Sequence, residues 1–135
     1  MRLRIVMIIS LFLLVSCGKE DSAIPDVYVN YRFTDIEYQN GRNENLIYFV
    51  SGHGVAGLMI YKVSDGNYVA FDRCSTVNPE KRCAVISDES AFTVTDPCSG
   101  GKFSILDGAP AKAPATRALK QYDVSFISGS YTVIN

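Results

Sequence analysis

Histidine and tryptophan are nearly missing from this chain of 135 residues, which contains one His and no Trp. Imidazole serves as a catalytic base and as a common metal ligand, and nucleophilic triads depend on it. The single histidine, His53, lies between Gly52 and Gly54, where we expect a loop residue rather than a base. The sequence therefore contains no recognisable catalytic system, and we expect no enzymatic activity.

An excess of basic residues is missing as well. The chain has 13 Lys and Arg residues against 14 Asp and Glu residues. Two of the basic residues lie in the first 16 positions, so the remainder has 11 basic and 14 acidic residues and a net charge of −3. Domains that bind nucleic acid carry a basic patch or stripe. We therefore expect no nucleic-acid partner.

The long apolar run at residues 5–15 follows Arg2 and Arg4 and is too short to span a bilayer, which is typical of a secretion signal. It leads into the letters LVSC at positions 14 to 17, which resemble the lipobox of bacterial lipoproteins. In that family the signal peptidase cuts before the cysteine, and the thiol carries a diacylglycerol. We therefore predict a lipoprotein signal peptide over residues 1–16 and lipidation of Cys17. An ordinary signal peptide with an incidental cysteine is the alternative.

Lipidation of Cys17 would make the membrane a partner of this protein, since each buried methylene contributes about 0.8 kcal/mol. We expect an outer-membrane lipoprotein. Lys19, Glu20 and Asp21 are similar to an export signal of surface lipoproteins in some Gram-negative bacteria, and a solvated charged linker is an equal alternative. Display on the cell surface and a periplasmic orientation both stay open. Residues 21–23 resemble a short O-glycosylation signal, which makes Ser22 a candidate glycan site.

The residues after the signal peptide are enough for one domain with a core and too few for two. We expect a lipidated linker over residues 17–25 and a single domain over residues 26–135. The domain consists of short alternating runs rich in Val, Ile, Tyr, Phe and Thr, without a sustained helical period, which predicts an all-β fold. The predicted strands cover residues 26–35, 46–51, 57–63, 68–72, 83–87, 91–95, 102–106, 121–127 and 131–134. Four pairs are typical of hairpin turns: Asn40 with Gly41, Asp65 with Gly66, Asp107 with Gly108, and Ser128 with Gly129.

Several features of residues 53–135 together resemble a known domain. They are Ala70, Phe71 and Asp72 before a first loop, the Pro97, Gly100 and Phe103 frame of a second, the letters LDG at 106–108 and APA at 113–115, and a strand entry from Leu119 to Tyr122. This set is similar to the Rieske domain. The resemblance implies a small β domain of stacked antiparallel sheets, sandwich-like or barrel-like, whose two loops meet at one tip.

The resemblance also identifies where metal ligands would be. A Rieske centre binds two irons, one through two cysteine thiolates and the other through two imidazoles, and each loop supplies one Cys and one His. Aligned with that pattern, the first loop has Cys74 at the cysteine position and Thr76 at the histidine position. The second loop has Asp96 and Ser99 at the corresponding positions. The scaffold therefore lacks three of its four ligands, and we expect no metal and no cofactor.

The other cysteines fit a disulfide of the same family. Cys98 falls where some Rieske proteins have a non-ligand cysteine whose disulfide joins the two loops, and counting back through the hairpin puts Cys83 near its other end. Such a bond persists outside the cytoplasm. A bond between Cys83 and Cys98 is the leading expectation, and Cys74 with Cys98 is the alternative. We expect Cys74 to be a buried, inert thiol, because Ser75 and Thr76 are poor activators.

These observations predict a lipid-anchored cell-envelope protein with a cluster-free Rieske-like domain. Its role would be binding or structural, as an accessory to another envelope protein. The rival hypothesis is an electron-transfer or thiol-redox protein that uses an atypical metal centre or Cys74. A third is an immunoglobulin-like sandwich used for adhesion, which the absence of tryptophan weakens.

Overall fold

The structure, a computed structural model, describes residues 23–135. The predicted signal peptide, the lipidation site Cys17 and the candidate glycan site Ser22 lie outside these residues and stay predictions. Within the described part of the chain, no helix has the length and apolar character needed to cross a membrane.

The described residues form an almost entirely β domain, which confirms the predicted fold class. All nine predicted strands overlap a strand of the structure. In chain order the elements are β1 (Asn30–Phe33), α1 (Asp35–Gly41), β2 (Ile47–Val50), β3 (Leu58–Ser64), β4 (Asn67–Asp72), a 3-10 turn (Pro79–Lys81), β5 (Ile86–Ser87), β6 (Thr93–Thr95), β7 (Lys102–Ser104), β8 (Pro110–Lys112), β9 (Gln121–Ile127) and β10 (Ser130–Ile134).

The strands form two antiparallel sheets. The larger sheet has the order β1-β10-β9-β4-β3-β2 and curls around one core. The smaller sheet has the sequential order β5-β6-β7-β8 and packs through a second core. The domain is therefore a pair of stacked sheets, as the resemblance implied.

Strands β3 and β4 are buried on both faces, because each face packs against a different core. Successive side chains of a strand point to opposite faces. Leu58 and Ile60 of β3 therefore enter the first core, while Met59 between them enters the second. Phe71 of β4 and Phe103 of β7 belong to that second core as well. This core fixes the smaller sheet to the end of β4, where the site described below is located.

Three of the four predicted turn pairs lie between strands. Asp65 and Gly66 join β3 to β4, and Ser128 and Gly129 join β9 to β10. Ser128 and Gly129 have φ values of 50° and 80°, the left-handed conformation that a tight two-residue hairpin requires. Gly108, from the third pair, has a φ of 71° between β7 and β8.

The fourth pair was predicted wrongly, because a helix was not expected there. Thr34 caps α1: its backbone N–H donates to the Glu37 carboxylate at 2.7 Å, and its hydroxyl accepts from the Glu37 N–H at 3.2 Å. This reciprocal capping box begins the helix. Asn40 and Gly41 complete the helix rather than form a hairpin turn. Seven residues are too few to show a clear helical hydrophobic period.

The smaller sheet also differs in detail from the prediction. Strand β8 was not predicted, because Pro110 disfavours a strand; β8 lies at the edge of its sheet, where proline is tolerated. The strand predicted over residues 83–87 is limited to Ile86–Ser87. An isolated bridge between Cys74 and Ala84 extends the pairing toward the first loop.

Two loops meet at one end of the domain, which we call the tip. Loop one (residues 73–83) follows β4, and loop two (residues 96–101) joins β6 to β7. A third segment, residues 112–117, flanks both. The Thr76 hydroxyl of loop one donates to the carbonyl oxygen of Arg117 at 2.7 Å. A Cβ added at Gly101 of loop two would lie 3.1 Å from the backbone nitrogen of Ala115.

Candidate functional site at the loop tip

The start of loop one is fixed by a buried carboxylate, Asp72, at the end of β4. Its oxygens accept hydrogen bonds from the backbone N–H groups of Val55 (2.6 Å), Ala56 (3.1 Å) and Cys74 (2.8 Å). The hydroxyl of Tyr122 donates to the same carboxylate at 2.8 Å. A buried charge is tolerated when it is hydrogen-bonded in this way. Asp72 therefore holds the β2–β3 connection, β9 and loop one in one arrangement.

The β2–β3 connection approaches Asp72 so closely that it requires a glycine. Gly54 has a φ of 68°, and a Cβ there would lie 2.3 Å from an oxygen of Asp72. The neighbouring His53 is part of this loop, as predicted, and its ring packs against Tyr31 with 4.8 Å between centroids. The single histidine of the chain therefore makes an aromatic contact with β1.

Cys74 is fully buried and is a free thiol. Its sulfur lies 3.7 Å from the carbonyl oxygens of Ser75 and Pro79. Burial, together with the negative charge of Asp72, raises the pKa of Cys74 to about 11. The thiol therefore stays protonated at neutral pH, whereas nucleophilic attack and metal binding need the thiolate.

Asp96 is the centre of the tip. It is fully buried, and its carboxylate accepts hydrogen bonds from the Ser75 hydroxyl of loop one (2.7 Å) and the Ser99 hydroxyl of loop two (2.6 Å). The backbone N–H of Cys98 donates to it at 2.8 Å. Burial alone would raise the pKa of Asp96, but the hydrogen bonds from Ser99, Ser75 and Cys98 outweigh it and lower the pKa. An ionised carboxylate thus connects the two loops.

Loop two is held in a tight turn around this carboxylate. The backbone N–H of Asp96 donates to Gly101 and the N–H of Gly100 donates to the Asp96 carbonyl, both at 2.8 Å. Gly100 has a φ of 78°, which a residue with a side chain adopts at a cost. The turn keeps Ser99 within hydrogen-bonding distance of the carboxylate.

A disulfide between Cys83 and Cys98 joins the loops a second time, as expected. Their Cα atoms are 6.3 Å apart. Cys98 is exposed and Cys83 is partly buried. Both sulfurs and a carboxylate oxygen of Asp96 lie within 4.8 Å of one another. Among the described residues, these three atoms form a group of the kinds that bind metal ions. Because the two sulfurs are bonded to each other, this group is not a thiolate metal site.

The four positions that correspond to Rieske ligands do not fit an iron–sulfur cluster. Cys74 is protonated, and Thr76, Asp96 and Ser99 offer only oxygen, whereas the cluster needs two thiolates and two imidazoles. Each of these oxygens already has a protein partner at 2.6–2.8 Å. Hydrogen bonds within the protein therefore occupy the oxygen atoms at these positions.

No protein-family model matches the chain, and no curated protein matches it. Solved structures with a similar fold do exist. The cyanobacterial plasma membrane Rieske protein PetC3 from Synechocystis PCC 6803 has 20% identity and a TM-score of 0.58, over 82% of this chain and 100% of that chain. The ferredoxin of carbazole 1,9a-dioxygenase from Nocardioides aromaticivorans IC177 has 17% identity and a TM-score of 0.50, over 80% and 95%. A chain in a complex of reduced oxygenase and oxidized ferredoxin in carbazole 1,9a-dioxygenase has 25% identity and a TM-score of 0.51, over 80% and 91%.

These similarities show that the chain has a Rieske-like fold. The structure brings together Cys74, Asp96 and Ser99 at the tip, and it places Thr76 at the flank of loop one, against residues 112–117. Sequence reasoning missed the role of Ser75, which connects the loops through Asp96. A serine next to the ligand-position cysteine carries no motif of its own, so the sequence contained no signal for that contact.

Asp96→Asn should destabilise the domain by about 1–3 kcal/mol at neutral pH, because the charge that accepts from both serines is lost. Since the folded-state pKa is lowered, the stability from ionised Asp96 is present above the ordinary aspartate pKa and is lost as the pH falls through the folded-state value. The difference between the two proteins should therefore shrink below about pH 4. Urea unfolding at several pH values measures it. Asp123→Asn, at an exposed position of β9, is the matched control and should change stability by less than about 0.5 kcal/mol.

Removal of the disulfide should cost about 3 kcal/mol, as expected for a loop closed by cysteines 15 positions apart in the sequence. The variant carries Cys83→Ser and Cys98→Ser together. Thermal unfolding of the wild type with and without a dithiol reductant gives the comparison. Reductant should lower the stability of the wild type to that of the variant and leave the variant unchanged. Equal stability of oxidised and reduced wild-type protein would contradict a stabilising role.

Proposed function

We propose that this chain is a lipid-anchored cell-envelope protein whose cluster-free Rieske-like domain is a binding or structural accessory module. The observation that carries the proposal is the carboxylate of Asp96, which bonds Ser75 of loop one at 2.7 Å and Ser99 of loop two at 2.6 Å. In the Rieske domain that this chain resembles, the two corresponding loops bind the iron–sulfur cluster.

The hydrogen bonds at the tip favour a structural replacement of the cluster over a vacant cluster site. A buried polar group without a partner costs about 1–3 kcal/mol. Binding of a metal group between the loops would separate Asp96 from Ser75 and Ser99 and leave these groups without partners. The loops are instead joined by the carboxylate and by the disulfide, so their conformation is fixed without a metal.

A rigid tip without a reactive group suits recognition better than chemistry. Cys74 is buried and protonated, while Pro97, Cys98 and Arg82 are exposed around the tip. Fixed loops lose little conformational freedom when a partner binds, which favours affinity. We propose an envelope protein as the partner and no nucleic acid, in line with the acidic composition.

The proposed location follows from the N-terminal sequence. The lipobox-like letters LVSC support acylation of Cys17 and attachment to the outer membrane. Lys19, Glu20 and Asp21 support display on the cell surface. An acylated N-terminus would hold the domain at the membrane without a transmembrane segment.

Electron transfer or thiol redox chemistry is the second candidate. The fold similarity to Rieske proteins and ferredoxins favours it, and so does the exposed position of Cys98 in the disulfide. The ligand positions argue against an iron–sulfur centre, because three of the four offer oxygen only. A thiol-redox role would have to use the disulfide, since Cys74 is buried and protonated at neutral pH.

Restoring the three missing ligands tests whether the tip is a replaced cluster site. The variant carries Thr76→His, Asp96→Cys and Ser99→His, and retains Cys74. After anaerobic reconstitution with ferrous iron and sulfide, it should bind about two irons per chain and show visible absorption, as a Rieske centre does. The wild type should bind none.

The matched control carries Thr76→His and Ser99→His and keeps Asp96. It should also stay colourless, because it has only one of the two required thiols. A cluster in the reconstituted wild type would contradict the proposal and favour electron transfer. A triple variant that folds by circular dichroism and still binds no iron would contradict the assignment of these four positions.

A further inference from the structure

We propose that the tip of this domain, rather than its opposite end, rests against the membrane surface and contacts anionic lipid head groups. The inference rests on the proposed lipid anchor at Cys17 and adds a direction to it, and the proposed envelope protein would then meet the tip at the membrane surface. Two independent observations carry it: the place where the chain enters the domain, and the charges around that place.

The chain enters the domain at the tip. Ile24 is buried, with 3% of its surface exposed, so packing begins one residue before the predicted end of the linker. Ala23 and Pro25 line one shallow cavity together with Pro79 and Arg82 of loop one. The first described residues therefore lie beside loop one.

The following residues continue along the same end of the larger sheet. Asp26 forms an ion pair with Lys120, and the carbonyl oxygen of Lys120 accepts from the Asp72 N–H at 2.8 Å where loop one begins. The side-chain amide of Asn135 then donates a hydrogen bond to the Val27 carbonyl oxygen and accepts one from the Val29 N–H. From there β1 runs toward the β3–β4 and β9–β10 hairpins, because it pairs antiparallel with β10. The hairpins are therefore at the end of the domain remote from the point where the chain enters it.

The segment between the anchor and the domain is short. Ala23 lies six residues after Cys17, and six residues span at most about 20 Å in any conformation. A domain of this length is about 35 Å across, judged from the radius of gyration expected for it. The anchor therefore keeps the tip closer to the membrane than the domain is wide, whereas the hairpin end approaches the bilayer only if the domain tilts onto its side.

The charges at the tip oppose such a tilt on an anionic surface. Four exposed basic residues and one exposed acid, Glu80, lie in loop one, loop two and residues 112–117. The basic residues are Lys81, Arg82, Lys112 and Arg117. When Lys19, Glu20 and Asp21 are counted as well, this end keeps a net charge of +2, although the mature chain is acidic. Basic residues next to a bilayer are attracted to anionic head groups over about one Debye length.

Two labelled variants of the full mature lipoprotein test the orientation. Thr116→Cys puts a thiol at the tip, and Ser128→Cys puts one at the β9–β10 hairpin; both positions are exposed. Each engineered thiol reacts selectively, because Cys74 is buried, Cys83 and Cys98 form a disulfide, and acylation blocks Cys17. A fluorophore on each is read in vesicles of equal parts phosphatidylcholine and phosphatidylglycerol that contain a head-group quencher lipid. The label at position 116 should be quenched at least twofold more than the label at position 128.

Matched charge reversals separate the electrostatic part from the tether. Lys81→Glu at the tip should reduce the difference between the labels, whereas Arg32→Glu on β1 should leave it unchanged. Vesicles of phosphatidylcholine alone should reduce the difference as well. If neither change reduces it, the contact with anionic lipid is wrong.

The anchor and the orientation fail in different ways. Wild-type protein should float with the vesicles, and Cys17→Ala should not. If the wild type does not float and its N-terminal peptide carries no acyl mass, the anchor and the orientation are both overturned. If it floats and the two labels are equally quenched, or position 128 is quenched more, the orientation alone is overturned.

Discussion

The buried carboxylate of Asp96 sets the geometry of the tip. It accepts one hydrogen bond from each loop, through Ser75 and Ser99, and a third from the Cys98 backbone. A charge inside a protein is stable only when its partners are in place, so each loop fixes the position of the other. In the Rieske domain that this chain resembles, the same two loops are joined by a metal cluster. Here the connection consists of hydrogen bonds and a disulfide.

Two buried carboxylates, Asp72 and Asp96, fix the conformation of the tip. Asp72 fixes where loop one leaves the sheet, through its hydrogen bonds to Cys74, the β2–β3 connection and Tyr122. Burial raises the pKa of the Tyr122 hydroxyl, and its hydrogen bond to the Asp72 carboxylate raises the pKa as well. Asp96 then fixes loop two against loop one. The same contacts keep Cys74 buried and protonated, so the arrangement that stabilises the loops also removes the one remaining ligand-type thiol from chemistry. This combination leads us to a binding role rather than a redox role.

Much of this arrangement was predictable, and the exceptions have physical reasons. Alternating apolar residues and the turn pairs at Gly66 and Gly129 were sufficient for nine of the ten described strands, whereas β8 was missed because it contains Pro110. Helix α1 was missed although Thr34 and Glu37 form a capping box, because seven residues show no clear period. The family pattern placed Asp96 and Ser99 in loop two and paired Cys83 with Cys98. The bond from Ser75 to Asp96 joins residues 21 positions apart, and its formation depends on the packing of the two sheets, which no local pattern encodes.

The central claim is tested most directly by measuring the iron and acid-labile sulfide content of protein purified anaerobically from its native envelope. The account predicts a colourless protein without stoichiometric iron. The tip offers no thiolate or imidazole, and the side-chain oxygens of Thr76, Asp96 and Ser99 are already hydrogen-bonded within the protein. About two irons per chain, together with broad visible absorption that bleaches on reduction, would contradict it, since such a centre requires ligands that this tip does not supply.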